Sequence, residues 1–344
     1  MTPIRRLAGV LADPAGMARL STQDWDALIR VGRAERLLGS VAALADEAGL
    51  RDHLPDTVER VLADEDRIVA WDHLRTRWEI GRARRALASL GAPVLLLKGS
   101  AYLHAGLPAS RGRRIGDLDI MVPRAAIGDA EALLRAAGWQ GVKDDPYDDR
   151  YYREWMHEIP PLVHQERGGV IDVHHTILPL TARLCPDAAA LIAAAVPAGD
   201  GLHVLARADM VLHAATHLAY DGEFDGGLRN LWDIVQLIGA GGDIWDELAE
   251  AAARHRLAAP LARTLRLARA LFGLEAPAAL AGRGDFVDRL ALRKIEGRDR
   301  YGVATAPLAH QLLYIRGHWL RMPPVMLARH LVRKWWVRRG EARP

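Results

Sequence analysis

With 344 residues, half of them apolar, the chain is long for one compact unit and has ample material for a core, so it reads as a folded protein of two or three packed regions. A formal charge of +3 and a pI near 9.2 are only mildly basic, and the lone Cys185 excludes an internal disulfide and any cysteine-based zinc site, which fits a reducing cytoplasm. The basic start at residues 1–6 is not followed by the apolar core of a secretory signal, and no window approaches the roughly 20 uninterrupted apolar residues of a membrane span, so no integral membrane association is expected.

Up to about residue 90 the pattern is helical. Ser21-Thr22-Gln23-Asp24 has the form of a capping box, and Trp71, Leu74 and Trp78 recur at helical spacing in a segment that reads as scaffold. Gly91-Ala92-Pro93 ends it, and Val94-Leu95-Leu96-Leu97 predicts a short buried strand. After Ser100 come a short helix, the loop Ser110-Arg111-Gly112-Arg113-Arg114, a strand carrying Asp117 and Asp119 as far as Val122, and a helix beginning after Pro123. That helix places Ala126, Ala130, Leu133, Leu134 and Ala137 on one side and stops at Gly138, a good left-handed cap. Residues 144–153, charged and aromatic, read as a loop or hairpin. Gly168-Gly169 then introduces a second alternating strand, Val170-Ile171-Asp172-Val173-His174. From about Ala188 helices return, over 208–220 and 228–238 with a break at 239–242. Residues 325–338 form a basic amphipathic pattern whose Leu327, Leu331 and Trp335 are expected to dock on the body.

The chemistry lies between these two strands. Alternate side chains of a strand share a face, so Asp117 and Asp119 aim at one spot while Leu118, Ile120 and Val122 point into a core. Two such carboxylates repel unless one is protonated or a divalent cation lies between them, and Mg²⁺ suits the second case because it prefers oxygen ligands and leaves positions open for phosphate. Gly99-Ser100, at a strand-to-helix turn, can offer backbone N–H groups and a hydroxyl to that phosphate. Lys98 stands beside it and is one of only a few lysines in an arginine-rich chain, the others being Lys143, Lys294 and Lys334. Asp172 completes a second metal position or takes the proton of an attacking hydroxyl. Set against this, a Gly-Ser pair can simply start a helix and an Asp-x-Asp can line a solvated strand edge; the order and spacing of the three segments carry the weight.

The span from Leu96 to His174 resembles the nucleotidyltransferase superfamily typified by DNA polymerase beta, with Gly-Ser, then Asp-x-Asp, then a later carboxylate. More narrowly it is similar to a bacterial uncharacterised nucleotidyltransferase family that reads Leu-Lys-Gly, an Arg shortly before Asp-x-Asp, and an acid-x-His strand. Here these are Leu97-Lys98-Gly99, Arg113 or Arg114, Asp117 and Asp119, and Asp172 with His174. The likeness continues into a His-bearing helix (His213, His217) and an Asp-bearing one (Asp233). The family often has Glu where Asp172 stands; Asp is the usual third acid of the wider superfamily, so the metal role survives the change.

The resemblance implies an α+β fold: a small mixed-sheet nucleotidyltransferase core at 91–178, flanked by an N-terminal helical region at 1–90 and a C-terminal helical region at 179–344. It implies transfer of a nucleoside monophosphate from an NTP, ATP by preference, to a peptide, RNA or small-molecule acceptor. Two Mg²⁺ ions would sit on Asp117, Asp119 and Asp172, and Lys98, Gly99, Ser100, Arg113, Arg114 and His174 would attend the nucleotide. Arg111 joins the candidates for a triphosphate clamp. His213 and His217 are expected behind the contact residues, and Arg229 with Asp233, one helical turn apart, reads as an intrahelical ion pair. A phosphotransferase using the same site, or a silent nucleotide-binding adaptor, are the alternatives.

Overall fold

The computed structural model describes residues 1–142, 146–221, 224, 226–324 and 327, the side chains of 146–148 and 221 excepted. The expected α+β architecture is present. Its sheet is built from β1 (Val94–Leu96), β2 (Leu118–Met121), β3 (Trp139–Gly141), β4 (Leu162–His164), β5 (Val170–His174), β6 (Val196–Gly199) and β7 (Leu202–Val204), in the order β3-β4-β5-β2-β1-β7-β6. The centre matters most for function. β2 runs antiparallel to β1 and parallel to β5, in a register that sets Asp119 beside Asp172 and Met121 beside His174. Strand alternation then puts Leu118, Ile120, Ile171 and Val173 into the core and leaves Asp119, Asp172 and His174 on the opposite face.

The β6–β7 hairpin has no counterpart in the sequence reading. Its outer strand, Val-Pro-Ala-Gly, is mostly exposed and lacks an apolar alternation, as an edge strand with Pro can. The turn between the strands is carried by Gly199, Asp200 and Gly201, all with positive φ.

Residues 144–153 differ from the expected loop: Pro146–Trp155 is a helix. Its charges fall four apart, giving the Arg150–Glu154 (2.8 Å) and Asp149–Arg153 (2.9 Å) pairs that support an exposed helix. The helical segment read as scaffold is the long helix Asp56–Ala86, and its tryptophan stripe faces outward. Trp71, Leu74 and Trp78 are exposed, whereas the buried face carries Leu62, Glu65, Val69, Asp72, Thr76 and Ile80. Acids occupy that face because they answer an arginine from the loop after β1, as described below.

Two apolar cores hold the chain. One lies around the sheet. The other joins the helices Pro3–Ala12, Thr22–Ala34 and Leu38–Glu47 to Ala258–Phe272 and Phe286–Glu296 from the far end of the sequence, with Ile4, Leu7, Trp25 and Leu28 sealed inside. The Ser21–Asp24 capping box is formed in both directions. Helices Arg207–Asp221 and Gly227–Ile238 match the expected segments and lie between the two cores. Among the described residues no helix is long and apolar enough to cross a membrane. The amphipathic stretch at 325–338 falls, Leu327 apart, outside the described residues.

Candidate active site

β1 feeds directly into the short helix Lys98–His104. Lys98 takes a left-handed φ of 47°, a conformation costing a non-glycine residue about 1 kcal/mol, and from there its Nζ donates to Asp119 Oδ1 at 2.6 Å. The same oxygen lies 3.0 Å from His174 Nε2 on β5. Burial of Asp119 works against its ionisation, but the Lys98 charge and the His174 contact outweigh it and hold the carboxyl well below the usual range.

Asp172 is its counterpart. Burial first, then the charges of Asp119 and Glu158, push its pKa up to about 7, and its buried Oδ1 has no partner among the described residues. One carboxylate of the pair is thus firmly ionised and its neighbour holds a proton near neutrality. Asp117 sits just before β2 rather than inside it, exposed at the edge of the same region.

Glu158 and His157 belong to this cluster, and sequence reasoning passed over both. Residues 157–159 run antiparallel to the end of β5: His175 N donates to His157 O at 2.9 Å, and Ile159 N to Val173 O at 3.1 Å. That places Glu158 Oε2 3.4 Å from His174 Nε2 and 3.7 Å from His157 Nε2. The only signal in the sequence is a His-Glu dipeptide between a helix and a proline pair, with no alternation to mark it. Burial, with the His174 and Lys98 charges adding to it, holds His157 well below its ordinary value, hence neutral.

Lys98, Gly99, Asp117 and Asp119 open onto a cavity closed on its other sides by His213 and His217 of Arg207–Asp221, Arg229 and Asp233 of Gly227–Ile238, Arg36 between the second and third helices, and the arginine loop. His213 and His217 therefore line the cavity itself. Enclosure, and then the Lys98 charge, keep both imidazoles neutral. Ser100 does not face this space: its buried hydroxyl donates to Leu97 O at 2.7 Å and approaches Asp119 O at 3.3 Å. His174, fully buried, also stays behind Asp119.

The arginine loop is already engaged. Arg111 pairs with Glu47 (3.0 Å), Arg113 with the buried Asp233 (3.0 Å), and Arg114 with Asp72 and, at 3.7 Å, Glu65 on the long helix. Gly99 is required for this packing, because a Cβ there would overlap the Arg113 guanidinium. Asp233 is therefore not the intrahelical partner of Arg229. Arg113, 120 positions away in sequence, has taken it. Arg229 is left donating to Asn230 Oδ1 at 3.2 Å, its buried Nε without a partner among the described residues, and burial, then the nearby Arg113, lower its proton affinity despite Asp233, with Arg36 adding to the repulsion.

The cavity thus has acids at one end, on and beside β2, and cations in excess of their partners at the other, Arg36 and Arg229. A polyanion that carries its own divalent cation complements both ends. Residues 21–273 match the model of a family described as uncharacterised nucleotidyltransferase. No curated protein matches the chain.

Proposed function

The chain belongs to this uncharacterised nucleotidyltransferase family, and from that premise we propose that it moves a nucleoside monophosphate from an NTP to an acceptor hydroxyl or phosphate, with release of pyrophosphate. The observation that carries the reading is the division of the cavity into an acidic end and a cationic end.

At the acidic end Asp117 and Asp119 line the cavity, while Asp172 does not line it but lies beside Asp119 on the neighbouring strand with an Oδ1 that has no partner among the described residues; these are the oxygen donors Mg²⁺ prefers, and they would hold the metal. When bound, it would neutralise phosphate charge and make the attacking oxygen easier to deprotonate. The remaining work falls to the protein. Lys98, between the acids and the cavity, balances Asp119 and turns N–H donors toward the phosphates. Arg229 and Arg36 meet the outer phosphates, where charge accumulates as pyrophosphate leaves. Arg113, fixed by Asp233 and lying over the Tyr102 ring, braces that wall rather than clamping the ligand. The helix Lys98–His104 has only seven residues, so side chains rather than a helix dipole supply most of the positive charge. Where Asp172 does not hold the metal, its ionised form, with a proton affinity raised to near neutrality, would be suited to take the acceptor's proton.

The test is label transfer from α-labelled NTP to a panel of peptides, RNA and small molecules. Wild type transfers label, and Asp117→Asn and Asp119→Asn lose at least about 10²-fold while remaining folded. Transfer at the wild-type rate by both variants would remove the acids from the reaction.

A further inference from the structure

We propose that His157, Glu158 and His174, together with Asp119, which is shared with the magnesium acids, form a second metal site that takes a first-row transition cation of the zinc type in preference to magnesium. The three lie close enough for one ion: a ligand atom from each falls within 4.8 Å of the others. Three of the donor separations are 3.7 Å (His157 Nε2 to Glu158 Oε2), 3.4 Å (Glu158 Oε2 to His174 Nε2) and 3.0 Å (His174 Nε2 to Asp119 Oδ1). Those are the edge lengths of a polyhedron around a cation whose bonds are about 2.0–2.2 Å. The 3.0 Å His174–Asp119 contact is also a hydrogen bond, but none accounts for Glu158 facing both imidazoles, since 3.7 Å is too long for one.

Nor does packing alone explain the pair of imidazoles. Their ring centroids are 5.2 Å apart, His174 is completely buried, and the Nε2 atoms of both rings are turned toward the one Glu158 carboxylate. Two imidazoles gathered on one carboxylate in a largely buried setting cost desolvation, which a cation held by their Nε2 atoms would offset. Two imidazoles with two carboxylates suit zinc, cobalt or iron better than magnesium, which seeks oxygen ligands alone. The backbone pairing of 157–159 with β5 fixes the spacing, and His157 and Glu158, 18% and 17% exposed, leave a way in. A cation there would tie this segment to β5 and to Asp119, and so set where the Asp119 carboxylate points.

The experiment uses the full chain, stripped with EDTA and dialysed, with no nucleotide present, so that its result does not depend on the transferase reading. Calorimetric titration with Zn²⁺, and visible absorption with Co²⁺, measure binding, while circular dichroism checks the fold. Wild type binds one equivalent of Zn²⁺ at least about 100-fold more tightly than Mg²⁺. His157→Ala and Glu158→Gln each weaken it about tenfold or more, and Asp117→Asn leaves it unchanged. His157→Gln replaces the alanine variant if that one unfolds. Zinc binding no tighter than magnesium binding, or untouched by the 157 and 158 substitutions, or lost in Asp117→Asn, would overturn the assignment.

Discussion

Asp119 and Asp172 occupy matched positions on adjacent parallel strands yet have opposite acid–base behaviour, because Lys98 and His174 both reach the first while the second has a bare buried oxygen. This has a measurable consequence for stability. A carboxyl whose folded pKa is raised from its ordinary value to about 7 adds a penalty as pH climbs between those values, and the penalty is complete above about 7. In metal-free protein Asp172→Asn should therefore raise the Tm at pH 8 and leave it nearly unchanged at pH 4. The gain is at most about 4 kcal/mol, since the change in proton affinity is about a thousandfold and each tenfold is worth about 1.4 kcal/mol. A thermal melt showing equal effects at both pH values would mean Asp172 is not the group under strain. Arg229→Met should raise the KM for NTP about tenfold, the loss of one charge-assisted hydrogen bond, with the fold intact by circular dichroism. At this scale the sequence was informative where strand alternation applies, as for Asp119, Asp172 and His174. It was silent on Glu158 and His157, whose placement depends on an irregular segment pairing with β5, and on the Arg113–Asp233 pair, which joins positions far apart in the chain.

Between elements, the arginine loop is held by a crossing of two backbones. Gly112, at φ 65°, packs against Gly39 so closely that a Cβ on either would collide with the other's carbonyl group. Gly112→Ala therefore meets both a left-handed backbone and an immovable neighbour, and should cost at least about 2 kcal/mol in urea denaturation, with NTP binding weakened as Arg113 shifts. An alanine variant as stable as wild type would show that the crossing can relax. Sequence periodicity located β1, β2, β5 and the helices from 207 to 238 well, because their apolar faces are regular. It also found the helical segment that became Asp56–Ala86, but not which of its faces is buried. There Glu65 and Asp72 are buried to meet Arg114 while tryptophans face water, and apolar spacing alone cannot tell a buried ion pair from an exposed face. The helix Pro146–Trp155 was legible only in its i,i+4 charges.

Over the whole molecule, the N-terminal helices help build the cavity, since Arg36 comes from the turn between two of them and lines it, and their core is shared with the C-terminal half. Leu7→Ala, at a fully buried position in that shared core, should cost about 2–5 kcal/mol and lower NTP affinity together with stability, as judged by denaturation with and without nucleotide. The α+β class came with the family resemblance; the joining of the two chain ends in one core was not legible, because contacts across the length of the chain leave no local pattern. The most direct test of the account is which phosphorus reaches the acceptor, followed in parallel reactions with α-labelled and γ-labelled NTP. Label in the product from the α position only, with pyrophosphate released, is the predicted result. Label from the γ position would contradict it and make the same site that of a phosphotransferase.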